Sequence, residues 1–235
     1  MAGYDFKDEE QVREYLKNLY TEYKFGCYGE KKPEVCHLLG DYNEAIKKDF
    51  KQAASIYEKN CNNLDYGRSC AKLGGWKLIG KGCKKNIVEA FQYMKKGCDF
   101  GDGIGCTNAG IVSITNVDVN RENKQAVIQS GINMLSKGCV ESKNEKACYF
   151  LTGLFINGID GIVEKSPLEA YKYSLLACEY GVPNACMYIS RLHELGEGVE
   201  KNPKLAETFR LRYRDLEQQY RQLQPTIEFG QGIEP

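Results

Sequence analysis

Ten of the eleven cysteines fall into five pairs that recur along the chain: Cys27/Cys36, Cys61/Cys70, Cys98/Cys106, Cys139/Cys148 and Cys178/Cys186. The members of a pair stand eight or nine positions apart, and the first members follow one another at intervals of 34, 37, 41 and 39 positions. A period in that range marks an α-helical solenoid, in which each repeat packs only on its neighbours. A pair in every repeat predicts one local disulfide per repeat, although spacing alone does not fix connectivity. The expected fold is therefore all-α: an α/α solenoid, or superhelix, of about five TPR-like repeats stapled by disulfides.

Small residues keep the same register. Gly40, Gly74, Gly110, Thr152 and Ser190 stand four positions after the second cysteine of each pair. Ala53, Ala90, Gly131 and Ala170 stand eight positions before the first cysteine of the next. Small residues at fixed helical positions let two helices approach closely. Ile46, Cys83 and Val163 come seven positions before three of those alanines, and Val199 precedes Ala206 in the same way. Here Arg214 stands where a cysteine would follow.

These marks place the helices. Helix A of each repeat is expected to start at the second cysteine, as in CAKLGGWKLIG (70–80). A Gly-rich turn follows, such as GKG (80–82) or GEG (196–198). Helix B then runs to the first cysteine of the next pair. Ser166-Pro167 and Asn202-Pro203 fit an N-cap followed by proline at the first helical position. The stretch TNVDVNRENKQ (115–125) makes the third turn several residues longer, either a functional loop or drift. The resulting division is a capping helix with the first cysteine (1–33), repeats at 34–69, 70–105, 106–147, 148–185 and 186–222, and a flexible tail (223–235). The long last helix, near 203–222, sets Leu205, Phe209, Leu216 and Tyr220 on one side.

Charge narrows the partners. Lys plus Arg and Asp plus Glu each total 32, so no broad basic field would draw nucleic acid or an anionic membrane. No apolar run is long enough to span a bilayer. The start, MAGYDFKDEEQVREYL, has neither the apolar core of a secretory signal nor the Arg- and Ser-rich character of a mitochondrial presequence. Disulfides persist in oxidising compartments. Paired cysteines without a signal fit the mitochondrial intermembrane space, where oxidation can trap an imported protein. The alternative is a cytosolic protein with reduced, buried cysteines.

LGEGVEKNPKLAE (195–207), LIGKGCKKNIVEA (78–90) and INGIDGIVEKSPLEA (156–170) resemble the Sel1-like repeat. The added cysteine pairs are similar to the cysteine-rich branch that includes the bacterial Hcp proteins. The start MAG-DF-DEEQV and the pair spacing over nearly the whole chain resemble the cytochrome c oxidase assembly factor 7 family. That resemblance implies an intermembrane-space assembly factor for respiratory-chain complexes, chiefly cytochrome c oxidase and also complex I, imported by the disulfide relay there, whose clients are oxidase subunits or other assembly factors. It also brings haem binding and disulfide reduction into view, and, through the bacterial branch, penicillin binding with weak β-lactamase activity.

The residues weigh these chemistries. The cysteines lack the close spacing of structural zinc sites, and His37 and His193 are the two histidines. Both read as packing or surface residues. The family's haem proposal points to histidines in the helix after the third pair, yet CTNAGIVSI (106–114) contains none. There is no C-x-x-C for disulfide exchange. Cys83, the unpaired cysteine, is the candidate redox thiol; it occupies the position of Val163 and Val199, so its simplest reading is a small buried hydrophobe. Ser69-Cys70-Ala71-Lys72 matches S-x-x-K of penicillin-recognising enzymes, without the partner motifs S-D-N and K-T-G. The expected function is a non-enzymatic scaffold for protein clients. The alternatives are a thiol–disulfide oxidoreductase or a haem-binding chaperone in the same pathway.

Overall fold

The computed structural model describes residues 4–121 and 123–223; the expected tail, from 224 on, lies outside them. The chain divides into two compact units, Met1–Ser142 and Lys143–Pro235. In the first, the elements are α1 (Glu9–Lys24), a π-helical turn (Phe25–Gly29), α2 (Pro33–Ala45), α3 (Phe50–Asn63), α4 (Gly67–Ile79), α5 (Ile87–Asp99), α6 (Gly103–Thr115), α7 (Val117–Asn120) and α8 (Lys124–Val140). In the second they are α9 (Glu145–Asn157), α10 (Pro167–Glu179), α11 (Pro183–Leu195) and α12 (Pro203–Leu223). Among the described residues the only β pairing is an isolated bridge between Ile159 and Val163 in the α9–α10 turn.

Each A helix begins three residues before its second cysteine rather than at it, as α4 does at Gly67 with Cys70 inside its first turn. The cause is N-terminal chemistry. Asp102 accepts from the Gly105 N–H at 2.6 Å, and Asn144 from Lys146 and Ala147 at 3.1 Å each. Pro33 and Pro183 occupy the first helical position of α2 and α11. At the B helices, Ser166 caps α10 through the Glu169 N–H at 3.3 Å, and Asn202 caps α12 through Leu205 at 3.0 Å.

Consecutive helices pack on one another within each unit, and the small residues sit where they meet. Ala53, Ala90 and Ala170 are fully buried. At Gly74, a Cβ would stand 2.6 Å from Met94 Cγ and 2.9 Å from the Ala90 carbonyl oxygen, so α4 and α5 could not approach with a larger residue there. In the second unit Ser190 plays the part differently: its hydroxyl donates to the Ala206 carbonyl at 2.7 Å and ties α11 to α12.

The long third turn folds into α7, capped by Asn116 through the Asp118 N–H at 3.0 Å. Along α12, Leu216 is buried and Leu205 and Phe209 are half-buried, but Tyr220 is 51% exposed. The apolar stripe expected on that helix therefore stops one turn short of Tyr220.

Candidate functional site

Within each unit the cysteine pairs staple a B helix to the next A helix. Cys27–Cys36, Cys61–Cys70, Cys98–Cys106 and Cys178–Cys186 form disulfides with Cα separations of 4.5, 4.8, 4.2 and 4.8 Å. Cys139 and Cys148 are also disulfide-bonded, and all ten of these cysteines are buried. Within each bridged loop one residue adopts positive φ. In the nine-residue spacings it is Lys31 (54°), Asp65 (50°) and Lys143 (50°); in the eight-residue spacings it is Gly101 (84°) and Gly181 (97°). The shorter loop turns at a φ that only glycine reaches without strain, and the longer one near the left-handed helical well.

Cys83 is the free cysteine among the described residues. It is half-buried against the cluster of Tyr57, Leu73 and Trp76, and its thiol faces the Lys81 carbonyl at 3.4 Å. Burial pushes its pKa up, against the pull of nearby Lys77. Reactive cysteines need the opposite shift.

The S-x-x-K pair lands in a polar network between α2, α3 and α4. Ser69 is 0% exposed. Its Oγ lies 2.9 Å from His37 Nδ1 and accepts from Asn60 Nδ2 at 2.8 Å. Lys72, which would serve as base, is instead paired with Glu44 at 2.8 Å and Asp41 at 3.4 Å. Burial alone would lower the Lys72 pKa, but these two carboxylates outweigh it and raise it. A buried serine beside a fully engaged ammonium cannot reach a β-lactam carbonyl.

His37 is 3% exposed, and its Nε2 faces Asp41 Oδ2 at 3.6 Å. Burial pushes its pKa down to about 4, against the pull of Asp41 and with the push of Arg68 and Lys72. The ring is therefore neutral at pH 7. With Asp41 favouring the proton on Nε2, Nδ1 is left to accept from the Ser69 hydroxyl. Serine, histidine and aspartate thus lie in line, but the serine meets the ring nitrogen that in a hydrolytic triad faces the acid, and no substrate reaches it. Asp41 also accepts from the Tyr57 hydroxyl at 2.6 Å, which, with burial, raises the Tyr57 pKa. Asn60 Oδ1 ends the network as a buried acceptor with no hydrogen-bond partner among the described residues.

His193 is built in the same manner. Its Nε2 lies 2.9 Å from the Tyr171 hydroxyl and its Nδ1 lies 3.1 Å from the Glu200 carbonyl. A carbonyl can only accept, so Nδ1 carries the proton. These contacts leave neither histidine free as a haem ligand, since both are buried with both ring nitrogens facing protein groups, and burial holds Cys83 as a thiol. Among the described residues no group of three or more His, Cys, Asp or Glu side chains could hold a metal ion. No helix there is long and apolar enough to cross a membrane.

Sequence reasoning passed over Asp41, Tyr57 and Asn60. Asn60 carried a readable signal, since Gly26, Gly97, Gly138 and Ala177 stand at the same position before their cysteines.

The Sel1 repeat family model matches residues 29–62, 67–102, 145–181 and 183–208. The matched ranges leave out α6, α7 and α8, the helices around the lengthened turn. The Sel1 repeat protein of Oxalobacter formigenes superposes with a TM-score of 0.67 at 18% identity, over 86% of this chain and 84% of that one. The uropathogenic Escherichia coli antigen c5321, also a Sel1-like repeat fold, gives 0.56 at 15% identity, over 88% of this chain and 49% of that one. The molecule is thus an all-α solenoid of Sel1 repeats. Among curated relatives, cytochrome c oxidase assembly factor 7A of Xenopus laevis is 36% identical over 98% of this chain and 100% of its own length. The Homo sapiens assembly factor 7 is 34% identical with the same coverage, and the Drosophila melanogaster homolog is 34% identical over 98% of both chains. The chain belongs to the cytochrome c oxidase assembly factor 7 family.

Proposed function

We propose that this chain is a non-enzymatic assembly factor for cytochrome c oxidase, acting in the mitochondrial intermembrane space as a helical-repeat scaffold for protein clients among oxidase subunits or other assembly factors. The observation that carries the reading is the state of the cysteines: ten are buried and disulfide-bonded. Such a frame suits an oxidising compartment. It also suits import by oxidative trapping through the disulfide relay. The names of the relatives supply the pathway.

A thiol–disulfide oxidoreductase would need an accessible thiolate or a second free thiol beside it. Cys83 offers neither among the described residues. Ser69 is too buried to support penicillin chemistry.

Deleting the gene and following the oxidase by native electrophoresis tests the proposal. Assembled oxidase should fall, and both the wild-type chain and Cys83→Ser should restore it. Unchanged oxidase after deletion would contradict the assembly role; rescue by wild type but not by Cys83→Ser would favour the oxidoreductase.

A further inference from the structure

At three places an aspartate or asparagine precedes glycine: Asp102-Gly103, Asn157-Gly158 and Asp160-Gly161. Such pairs are prone to cyclise, because no side chain on the glycine obstructs its nitrogen as it attacks the neighbouring side-chain carbon. The fold treats the three differently. Asp102 caps α6, and its carboxylate accepts from the Gly105 N–H at 2.6 Å. Asn157 ends α9, where its Nδ2 donates to the Gly153 carbonyl at 2.9 Å and the Gly158 N–H donates to the Leu154 carbonyl at 2.8 Å. At both, a reacting group must give up a hydrogen bond before the ring can close.

Asp160 and Gly161 form the tip of the α9–α10 turn, and both are exposed. Gly161 stands at φ 69°, with nothing within 4 Å of where a Cβ would be. The hydrogen bonds of the turn pass these two residues by. Ile159 and Val163 exchange N–H···O bonds at 2.8 Å each, and the Ile162 N–H donates to the Ile159 carbonyl at 2.9 Å. Among the described residues, neither the Asp160 carboxylate nor the Gly161 N–H has a hydrogen-bond or ion-pair partner. Electrophile and nucleophile are therefore adjacent, solvated and unrestrained at this one pair.

We infer that Asp160-Gly161 is a modification site, at which the folded protein converts aspartate to isoaspartate and so becomes a substrate for a carboxyl methyltransferase that recognises isoaspartate. The Gly161 nitrogen attacks Cγ of the protonated Asp160 side chain. A C–N bond forms, the Cγ–OH bond breaks, and the hydroxyl leaves with the amide proton as water, giving a succinimide. Water then adds to the ring carbonyl that was the Asp160 main-chain carbonyl. The bond from that carbon to the Gly161 nitrogen breaks, the nitrogen regains its proton, and the chain now runs through Cγ. One water leaves and one returns, so the step needs no oxidant or reductant and leaves the mass unchanged. The product adds a main-chain methylene between Ile159 and Val163, which are paired across the turn. Val163 is buried, at the repeat position of Cys83 and Val199, so a surface reaction reaches a packed contact. This goes beyond oxidase assembly.

The test ages the purified, oxidised full chain at neutral pH beside the same chain held unfolded in guanidinium chloride. Isoaspartate is read as methyl groups accepted from S-adenosylmethionine with purified isoaspartyl methyltransferase. Its position is mapped with an endoprotease that cuts before aspartate and not before isoaspartate. Folding should change the rate at 160 by less than about threefold and slow the reaction at 102 and 157 by about tenfold or more. Asp160→Glu, whose longer side chain disfavours the ring, should remove most of the methyl acceptance of the folded chain. Undiminished acceptance in that variant would overturn the inference, as would isomerisation at 160 that folding slows as much as at the other two sites. Because purified protein is used, that failure leaves the assembly reading untouched.

Discussion

His37 Nδ1 lies 2.9 Å from Ser69 Oγ, joining α2 to α4 across 32 positions of sequence. The contact turns a serine with an enzyme-like neighbour sequence into a packing element. It also shows how this junction departs from the others: Val35, Gly105, Ala147 and Ala185 stand where Ser69 does, and none of them carries a hydroxyl. Ser69→Ala should therefore lose stability, since His37 Nδ1 and Asn60 Nδ2 each lose a buried partner. We expect a cost of about 1–3 kcal/mol by urea unfolding. A neutral result would mean that the network adds nothing to the fold.

The pH dependence follows from the same ring. Burial holds the folded pKa of His37 at about 4, below the ordinary 6.5. Between these values the unfolded chain binds a proton that the folded chain does not. Stability should therefore fall as pH drops from about 6.5 to 4, by up to about 3 kcal/mol from this residue. Glu44, held low against its own burial by Lys72 and Lys81, adds a loss in the same direction at lower pH. Comparing wild type with His37→Gln at pH 7 and pH 4.5 isolates the histidine; equal slopes would remove it as the cause.

Two glycines should respond in opposite directions to the same substitution. Gly101 has φ 84° and Gly75 lies within α4, and at neither would a Cβ meet anything within 4 Å. Gly101→Ala should destabilise by about 1 kcal/mol through backbone strain alone. Gly75→Ala should stabilise by about 0.5–1 kcal/mol through helix propensity. Thermal unfolding of the two variants checks both signs.

Breaking one staple should matter more than either. Cys61→Ser with Cys70→Ser opens a loop of ~10 residues between α3 and α4, with an expected loss of about 2–3 kcal/mol in the chain-entropy model. Cys83→Val should cost less than about 1 kcal/mol, because valine holds the same repeat position at Val163 and Val199. A large loss there would show that the thiol has a role the packing does not reveal.

The repeat was legible because it is periodic. Cysteine spacing placed the helical pairs, small residues marked their contact faces, and Ser166-Pro167 and Asn202-Pro203 marked two helix starts. The A-helix starts were missed by three residues since the cysteines drew attention from the caps just before them, Asp102 and Asn144. The Asp41–His37–Ser69–Asn60 network was not legible as a unit: its members come from three helices and follow no period. What sequence did offer was the exception, an asparagine where the other repeats put glycine or alanine. The π-helical turn at Phe25–Gly29 and the folding of the long turn into α7 had no comparable mark.

The most direct test of the account is the redox state of the cysteines in the cell. Protein isolated from mitochondria, with free thiols alkylated before lysis, would be digested and mapped without reduction. The account predicts five local disulfides, Cys27–Cys36 through Cys178–Cys186, with Cys83 alone carrying the alkyl label. Label on most of the ten paired cysteines would contradict it, and with it the oxidising compartment on which the assembly reading depends.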